Sequence, residues 1–408
     1  MTPVTETIRF ASPFAGIPSA PPDPIFGLTE AYQTDTNPNK VNLGVGVYQD
    51  GNGRVPILNV VREAEAQWLT REDSKSYLPI DGIPAYNKQV QALLFGADSP
   101  LLTDGRAVSL QALGGTGALK IGADFLKRYV GAERVWISDP SWENHRALFE
   151  AAGLEVRTYP YYLPQTHGLD FDAMHAALAA LPPQSVVVLH ACCHNPTGVD
   201  LTPAQWTTVA DLCQERGLLP FLDFAYQGFG AGLDADAFAV RAFAAAGIPC
   251  LIANSFSKSF SLYRERIGGL TVLAADADEA KRVLSQLKRV VRTNYSNPSS
   301  YGGQLVAAIL ADATLRGQWE VELGAMRGRI AQMRTQLVEK LRASGVPQDF
   351  GFIAEQKGMF SYSGLPAEAV QRLRNEYSVY IVGSGRICVA ALNEKNIDYV
   401  CNAIASVL

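Results

Sequence analysis

Between Asn254 and Phe260 the chain reads Asn-Ser-Phe-Ser-Lys-Ser-Phe, and Arg264, Glu265 and Arg266 follow closely. The short apolar run 250–253 therefore delivers two hydroxyls, Ser255 and Ser257, and one amine, Lys258, within four residues. A lysine amine condenses with an aldehyde, and hydroxyls with a guanidinium hold a phosphate. Together these groups suit a phosphorylated aldehyde held as a Schiff base, which points to pyridoxal phosphate (PLP). Taken alone, the segment reads equally well as a solvated lysine on a polar loop.

Other groups serving such a cofactor must converge with Lys258, and in open α/β sheets ligands lie beyond the carboxyl ends of the strands. Three further apolar runs end in suitable residues. The run 185–190 leads into Cys193-His194-Asn195-Pro196-Thr197-Gly198; the run 218–222 ends at Asp223, with Tyr226 three residues on; and 111–113 ends at Gly114-Gly115-Thr116-Gly117, before a helical pattern. A glycine-rich turn opening a helix offers free N–H groups and a positive dipole end, a phosphate site. Asp223 is suited to pair a pyridinium nitrogen and keep the ring an electron sink, or it is a helix cap. Asn195 and Tyr226 are suited to hold a phenolic oxygen, or are turn and core residues. Trp142 either stacks on a flat heterocycle or packs in the core, and His145 and His190 read as supporting or packing residues.

The 408 residues, 48% apolar and 18% charged, describe a globular chain of more than one domain. A net charge of −5 leaves no basic excess to neutralise nucleic-acid phosphates. The cluster Lys281, Arg282, Lys288, Arg289 and Arg292 follows Asp276, Asp278 and Glu279, so it reads as a solvated helix face. The apolar stretch 242–253 is interrupted by Gly247 and Pro249 and falls short of the roughly 20 residues that span a bilayer. The N-terminus lacks the basic-then-apolar pattern of a secretory signal. The six cysteines show neither disulfide-scaffold nor metal-ligand spacing. Free thiols, no metal site, no membrane or nucleic-acid partner and a cytoplasmic location are the expectations.

Six prolines in the first 25 residues predict an extended arm. From about 105 to 275, strand patterns at 135–138, 185–190, 218–223 and 249–253 alternate with helical patterns at 118–130 and 206–216, which predicts an α/β domain with a mostly parallel sheet. Beyond 276, helical patterns at 276–292, 301–310 and 318–343 precede strand patterns at 358–362, 379–382 and 386–391, a smaller α+β unit.

The blocks 41–48, 77–82, 114–119, 141–145, 194–198, 223–229, 255–258, 294–298 and 384–386 together resemble class I aminotransferases of PLP fold type I, in the aspartate/aromatic amino-acid aminotransferase group. The resemblance runs along essentially the whole chain. It implies a large PLP-binding domain at 55–320 with a mostly parallel seven-stranded sheet between helices. A smaller α+β domain is implied from both chain ends, 1–54 (with the arm) and 321–408. Lys258 would form the Schiff base and then shuttle the proton. Gly115, Thr116, Ser255, Ser257 and Arg266 would hold the phosphate, with Tyr77 from a neighbouring subunit. Asp223 would pair the pyridinium, Tyr226 and Asn195 the phenolic oxygen, and Trp142 the ring face. Arg386, assisted by Asn195 and Gly46, would clamp the α-carboxylate, Phe360 would line the site, and Arg292 of the other subunit would meet a distal carboxylate. The implied enzyme is a homodimer that exchanges amino groups between aspartate or aromatic amino acids and 2-oxoglutarate, ping-pong through a pyridoxamine phosphate form.

Substrate markers are mixed. The stretches 113–129 and 360–365 look like the bacterial aromatic branch, Thr116, Val47 and Asn297 like the aspartate branch; Val55 is apolar where aspartate-selective members tend to be polar, and Ser76 and Gln49 match neither. A fold-type-I lyase or decarboxylase shares the PLP site but does not need both Arg292 and Arg386. A binding protein retaining the fold usually loses the lysine or the pyridinium partner. A dinucleotide-binding reading fails on the spacing of Gly114-Gly115-Thr116-Gly117.

Overall fold

A computed structural model describes residues 12–20 and 25–408. Of the expected arm, 1–11 and 21–24 lie outside the described residues, and 12–20 form an exposed turn in which the Ala15 N–H donates to the Ser12 carbonyl (3.2 Å).

In chain order the strands are β1 (Val41–Asn42), β2 (Ala107–Leu113), β3 (Arg134–Asp139), β4 (Glu155–Pro160), β5 (Tyr162–Leu163), β6 (Gly168–Leu169), β7 (Val186–His190), β8 (Leu219–Phe224), β9 (Cys250–Ser255), β10 (Ile267–Leu273), β11 (Phe360–Tyr362), β12 (Val379–Tyr380) and β13 (Arg386–Cys388). Seven of them build one sheet in the order β2-β10-β9-β8-β7-β3-β4. The five from β9 to β4 pair in parallel, whereas β10 runs antiparallel to both its neighbours. Every residue of β7, β9 and β10 is buried. That is why these strands read as continuous apolar runs without alternation: both faces are covered.

The reversal of β10 positions the site. Its register pairs Ile267 with Leu113 and Gly268 with Ser255, so its amino end lies where β2 and β9 have their carboxyl ends. Arg266, one residue before β10 and left-handed at φ +57°, therefore stands beside Ser255 and the start of the helix that follows β2.

That helix is Gly114–Phe125, and it begins at the glycines, not at 118 as the apolar pattern predicts. Glycines carry no apolar signal, but they let the helix lie close on the sheet. A Cβ on Gly122 would stand 2.4 Å from the Phe221 ring, and one on Gly117 3.1 Å from Leu113 Cβ. Residues 126–130, expected as helix, form a π-turn ended by Gly131 at φ +78°.

In the C-terminal part, Ala313–Ala343 is one helix of 31 residues, so the expected domain boundary at 320/321 falls inside it. It starts earlier than expected because the Asp312 carboxylate accepts from the N–H groups of Thr314 and Leu315. Near its start Trp319 is fully buried, donates Nε1–H to the Ser259 carbonyl (2.7 Å) and stacks on Phe260 (4.5 Å), fixing the turn that carries Lys258. The chain ends meet in two small sheets: β1 pairs β12 in parallel, and β11 pairs β13 antiparallel with Tyr362 opposite Arg386. The expected strands at 358–362, 379–382 and 386–391 shrink to β11, β12 and β13, the last running into a 3₁₀ turn at Val389–Ala391. Among the described residues no helix is long and apolar enough to cross a membrane.

Candidate active site

Along the shared strand edge lies a cavity of about 480 Å³. Eleven residues singled out from the sequence line it: Gly46, Gly115, Thr116, Trp142, Asn195, Asp223, Tyr226, Ser255, Ser257, Lys258 and Arg266.

At one end, Arg266 donates from Nη1 to Ser257 Oγ (3.2 Å) and to the Tyr263 carbonyl (2.9 Å), and the Ser257 N–H donates to Ser255 Oγ (3.2 Å). Gly115 backs onto Ser255, where an added Cβ would sit 3.2 Å from the serine Cβ. Gly114, at φ +70°, leaves room for Arg266: a Cβ there would lie 2.5 Å from Nη2 and 2.9 Å from Cζ. The helix starting here has no side-chain cap. Its first N–H groups join two hydroxyls and a guanidinium, the donor set of a bound phosphate dianion.

The amine of Lys258 stands 4.8 Å over the Tyr226 ring. Burial is the largest influence on it and lowers its pKa to about 8; Asp223 opposes that shift, while Arg266 and Arg386 add to it. The amine is thus far easier to deprotonate than a surface lysine.

Asp223, near the carboxyl end of β8, is buried beneath the same cavity. Burial pushes its carboxyl up, but the His145 hydrogen bond and nearby positive charge outweigh this, and the net shift is downward. His145 bridges Ser141 Oγ at Nδ1 and Asp223 Oδ2 at Nε2, both at 2.9 Å. Because an ionised carboxylate only accepts, Nε2 carries the proton shared with Asp223. This relay holds a buried negative charge facing the cavity, the partner a protonated ring nitrogen needs. His190, which the sequence offers as a supporting or packing residue, also lines the cavity; among the described residues neither of its ring nitrogens has a hydrogen-bond partner, and burial brings its pKa down to about 3. Its ring is therefore neutral at physiological pH.

Beyond Asn195 lies Arg386, only 1% exposed. It donates from Nη1 to Asn195 Oδ1 (3.1 Å) and from Nη2 to the Gly44 carbonyl (2.8 Å), and its guanidinium sits 4.3 Å over the Phe360 ring. Among the described residues its Nε has no hydrogen-bond partner, and the nearest carboxylate contact is Glu143 Oε2 at 3.6 Å. Phe360 presses on Gly46, where a Cβ would stand 2.6 Å from the ring. A desolvated planar fork held this way is a carboxylate site.

Two expected residues lie elsewhere. Tyr77, 93% exposed, and Arg292, also exposed, line a separate groove of about 710 Å³ with Tyr295, Ser296 and Asn297. Arg292 donates to Ser296 Oγ there. Within one chain, neither lines the Lys258 cavity. Conversely, Tyr263, Val47, Leu119 and Ala225 line it without having been identified as site residues. Tyr263, whose hydroxyl accepts from the Tyr48 N–H (2.8 Å), sits in the short turn between Lys258 and Arg266, and that position was its only available signal.

A family model described as aminotransferase class I and II matches residues 38–404. An aspartate aminotransferase of Pseudomonas aeruginosa is 54% identical over 395 residues, covering 97% of this chain and 99% of that protein. An aromatic-amino-acid aminotransferase of Escherichia coli is 51% identical, covering 95% of this chain and 98% of that protein. The crystal structure of an aromatic-amino-acid aminotransferase from Burkholderia pseudomallei, covalently bound to pyridoxal phosphate, superimposes with a TM-score of 0.95 at 59% identity, covering 98% of this chain and 100% of that one.

Proposed function

The chain belongs to the class I and II aminotransferases, and from that premise we propose that it moves the amino group of aspartate and of tyrosine or phenylalanine to 2-oxoglutarate. It is a PLP-dependent aminotransferase of α/β fold type I. When bound, PLP supplies the electron sink that stabilises negative charge at the substrate Cα.

The residues divide the remaining work. Ser255, Ser257, Arg266, Gly115 and Thr116 hold the phosphate, joined by Tyr77 of the partner subunit. Asp223, kept ionised by the His145 relay, keeps the ring nitrogen protonated. Asn195 and Tyr226 hold the phenolic oxygen, and Trp142 covers the ring. Lys258 would take the proton from Cα; an amine with a pKa of about 8 is matched to that duty near neutral pH. Arg386, with Asn195 and Gly46, clamps the α-carboxylate under Phe360.

The observation that carries the reading is the buried Arg386 fork beside the Lys258 cavity, with no carboxylate among the described residues closer than Glu143 at 3.6 Å. Dual substrate use is supported by the mixed markers: Thr116 and Val47 line the cavity together with the apolar Leu119 and Trp142. Relatives of comparable identity carry both the aspartate and the aromatic names. The homodimer with shared sites is supported by the exposed placement of Tyr77 and Arg292, which suits donation to a second subunit. The pairing of β1 with β12 supports a small domain drawn from 1–54 and 321–408 around a large domain at 55–320. Six free, buried cysteines suit the cytoplasm.

Half-reactions with aspartate, tyrosine and phenylalanine, followed by cofactor absorbance, test the substrate range. Arg292→Leu should depress the aspartate half-reaction far more than the phenylalanine one. Equal losses would remove Arg292 as the distal-carboxylate partner.

A further inference from the structure

Arg334 lies mid-helix in Ala313–Ala343 and is 3% exposed, yet among the described residues it forms no ion pair. Its hydrogen bonds all go to neutral acceptors, while the buried Asp200 carboxylate attracts it without forming an ion pair. Nη2 donates to the carbonyls of Gly358 and Phe360, both at 2.6 Å, and Nη1 donates to the Ile353 carbonyl (3.3 Å) and to Ser361 Oγ. A buried, unpaired cation is costly. It is tolerated here because four oxygens are turned onto it, and those oxygens belong to residues 353–361.

This segment is the floor on which the carboxylate site is assembled. Phe360 covers Arg386 and presses on Gly46. The next residues pair with β13, setting Tyr362 opposite Arg386. The turn carrying Asn195 rests on it as well: the Lys357 N–H donates to the Gly198 carbonyl (2.6 Å), and a Cβ on Gly198 would stand 2.8 Å from the Phe360 carbonyl oxygen. Gly358, at φ +80°, abuts Cys193, two residues before Asn195.

We infer that Arg334 is a positioning residue for substrate binding: it fixes residues 358–361 and thereby sets Phe360, Arg386 and Asn195 in register for the substrate carboxylate. The inference rests on the proposed role of Arg386. Arg334 bonds only to residues 353–361 and not to the Lys258 end of the cavity, so its loss should act chiefly on substrate affinity and reach the cofactor only through Asn195.

The test compares Arg334→Met, which keeps length but removes all donors, with Arg334→Lys, which restores the charge without the planar fork. For Arg334→Met, KM for aspartate and for phenylalanine should both rise by about 3- to 30-fold, with kcat changed by less than about threefold. PLP affinity should change less than either KM, and Arg334→Lys should fall between Met and wild type. An unchanged KM, a rise confined to one substrate, or a loss of kcat at constant KM overturns the inference. If Arg334→Met does not fold, Ser361→Ala, which removes one acceptor, should shift both KM values in the same direction; no shift overturns it. Arg386→Ala in the same assay separates the claims. If it too leaves KM unchanged, the carboxylate reading fails. If it raises KM while Arg334→Met does not, the positioning role fails alone.

Discussion

Gly114→Ala should weaken PLP binding through a side chain that is not itself altered. Gly114 has φ +70°, and a new Cβ would stand 2.5 Å from Arg266 Nη2 and 2.9 Å from Cζ. The guanidinium is the free end of a flexible chain, so it will yield, and in yielding leave Ser257 and the phosphate position. A hydrogen bond involving a charged group is worth about 1.5–3 kcal/mol. Loss of that contribution lowers PLP affinity by roughly 10- to 150-fold. The variant also carries the cost of a left-handed alanine, about 1–2 kcal/mol. Gly131→Ala is the matched control, because Gly131 has φ +78° and nothing within 4 Å of its Cβ position. Both variants should melt a few degrees lower by calorimetry, and only Gly114→Ala should lose affinity when the apoenzyme is titrated with PLP. Equal PLP affinities in the two variants would refute the Arg266 phosphate assignment.

In the apoenzyme, labelling of Lys258 by an amine-directed reagent should be half-maximal near pH 8, not near the ordinary lysine value of about 10.4. Because Asp223 holds that pKa up, Asp223→Asn should move the midpoint lower still; an upward move would contradict the electrostatics described. His190 has a folded pKa of about 3, so the unfolded chain takes up a proton that the native ring refuses as pH falls below about 6.5. Stability from this neutral ring is fully present above that pH and is lost on descent, with a slope of up to about 1.4 kcal/mol per pH unit. Denaturant unfolding between pH 7.5 and 5 should be less pH-dependent in His190→Gln, and an unchanged slope would count against the buried neutral ring.

The strands that lead to Asp223, Asn195 and Lys258 were legible because burial on both faces writes them as apolar runs. The polar residues that follow such runs stand out against them, which is why most of the cavity lining could be named from the sequence. The antiparallel β10 was not legible. Its run Ile267–Leu273 is as apolar as its neighbours, and direction leaves no mark on composition. That reversal alone puts Arg266 beside Ser255. The early start of helix Gly114–Phe125 was hidden for the opposite reason, since glycines make contacts by lacking side chains. Arg334 reads in sequence as one more helix cation; only the carbonyls of a distant segment reveal its role. Tyr77 and Arg292 were placed by resemblance, and one chain brings them to each other and not to Lys258.

The central claim is that Lys258 is the amine that binds PLP covalently. Borohydride reduction of the PLP-loaded protein, followed by proteolysis and mass spectrometry, tests it directly. The account predicts a single pyridoxyl-modified peptide with the label on Lys258, and no stable label in Lys258→Ala. A label on any other lysine, or retention of covalent PLP in Lys258→Ala, would contradict it.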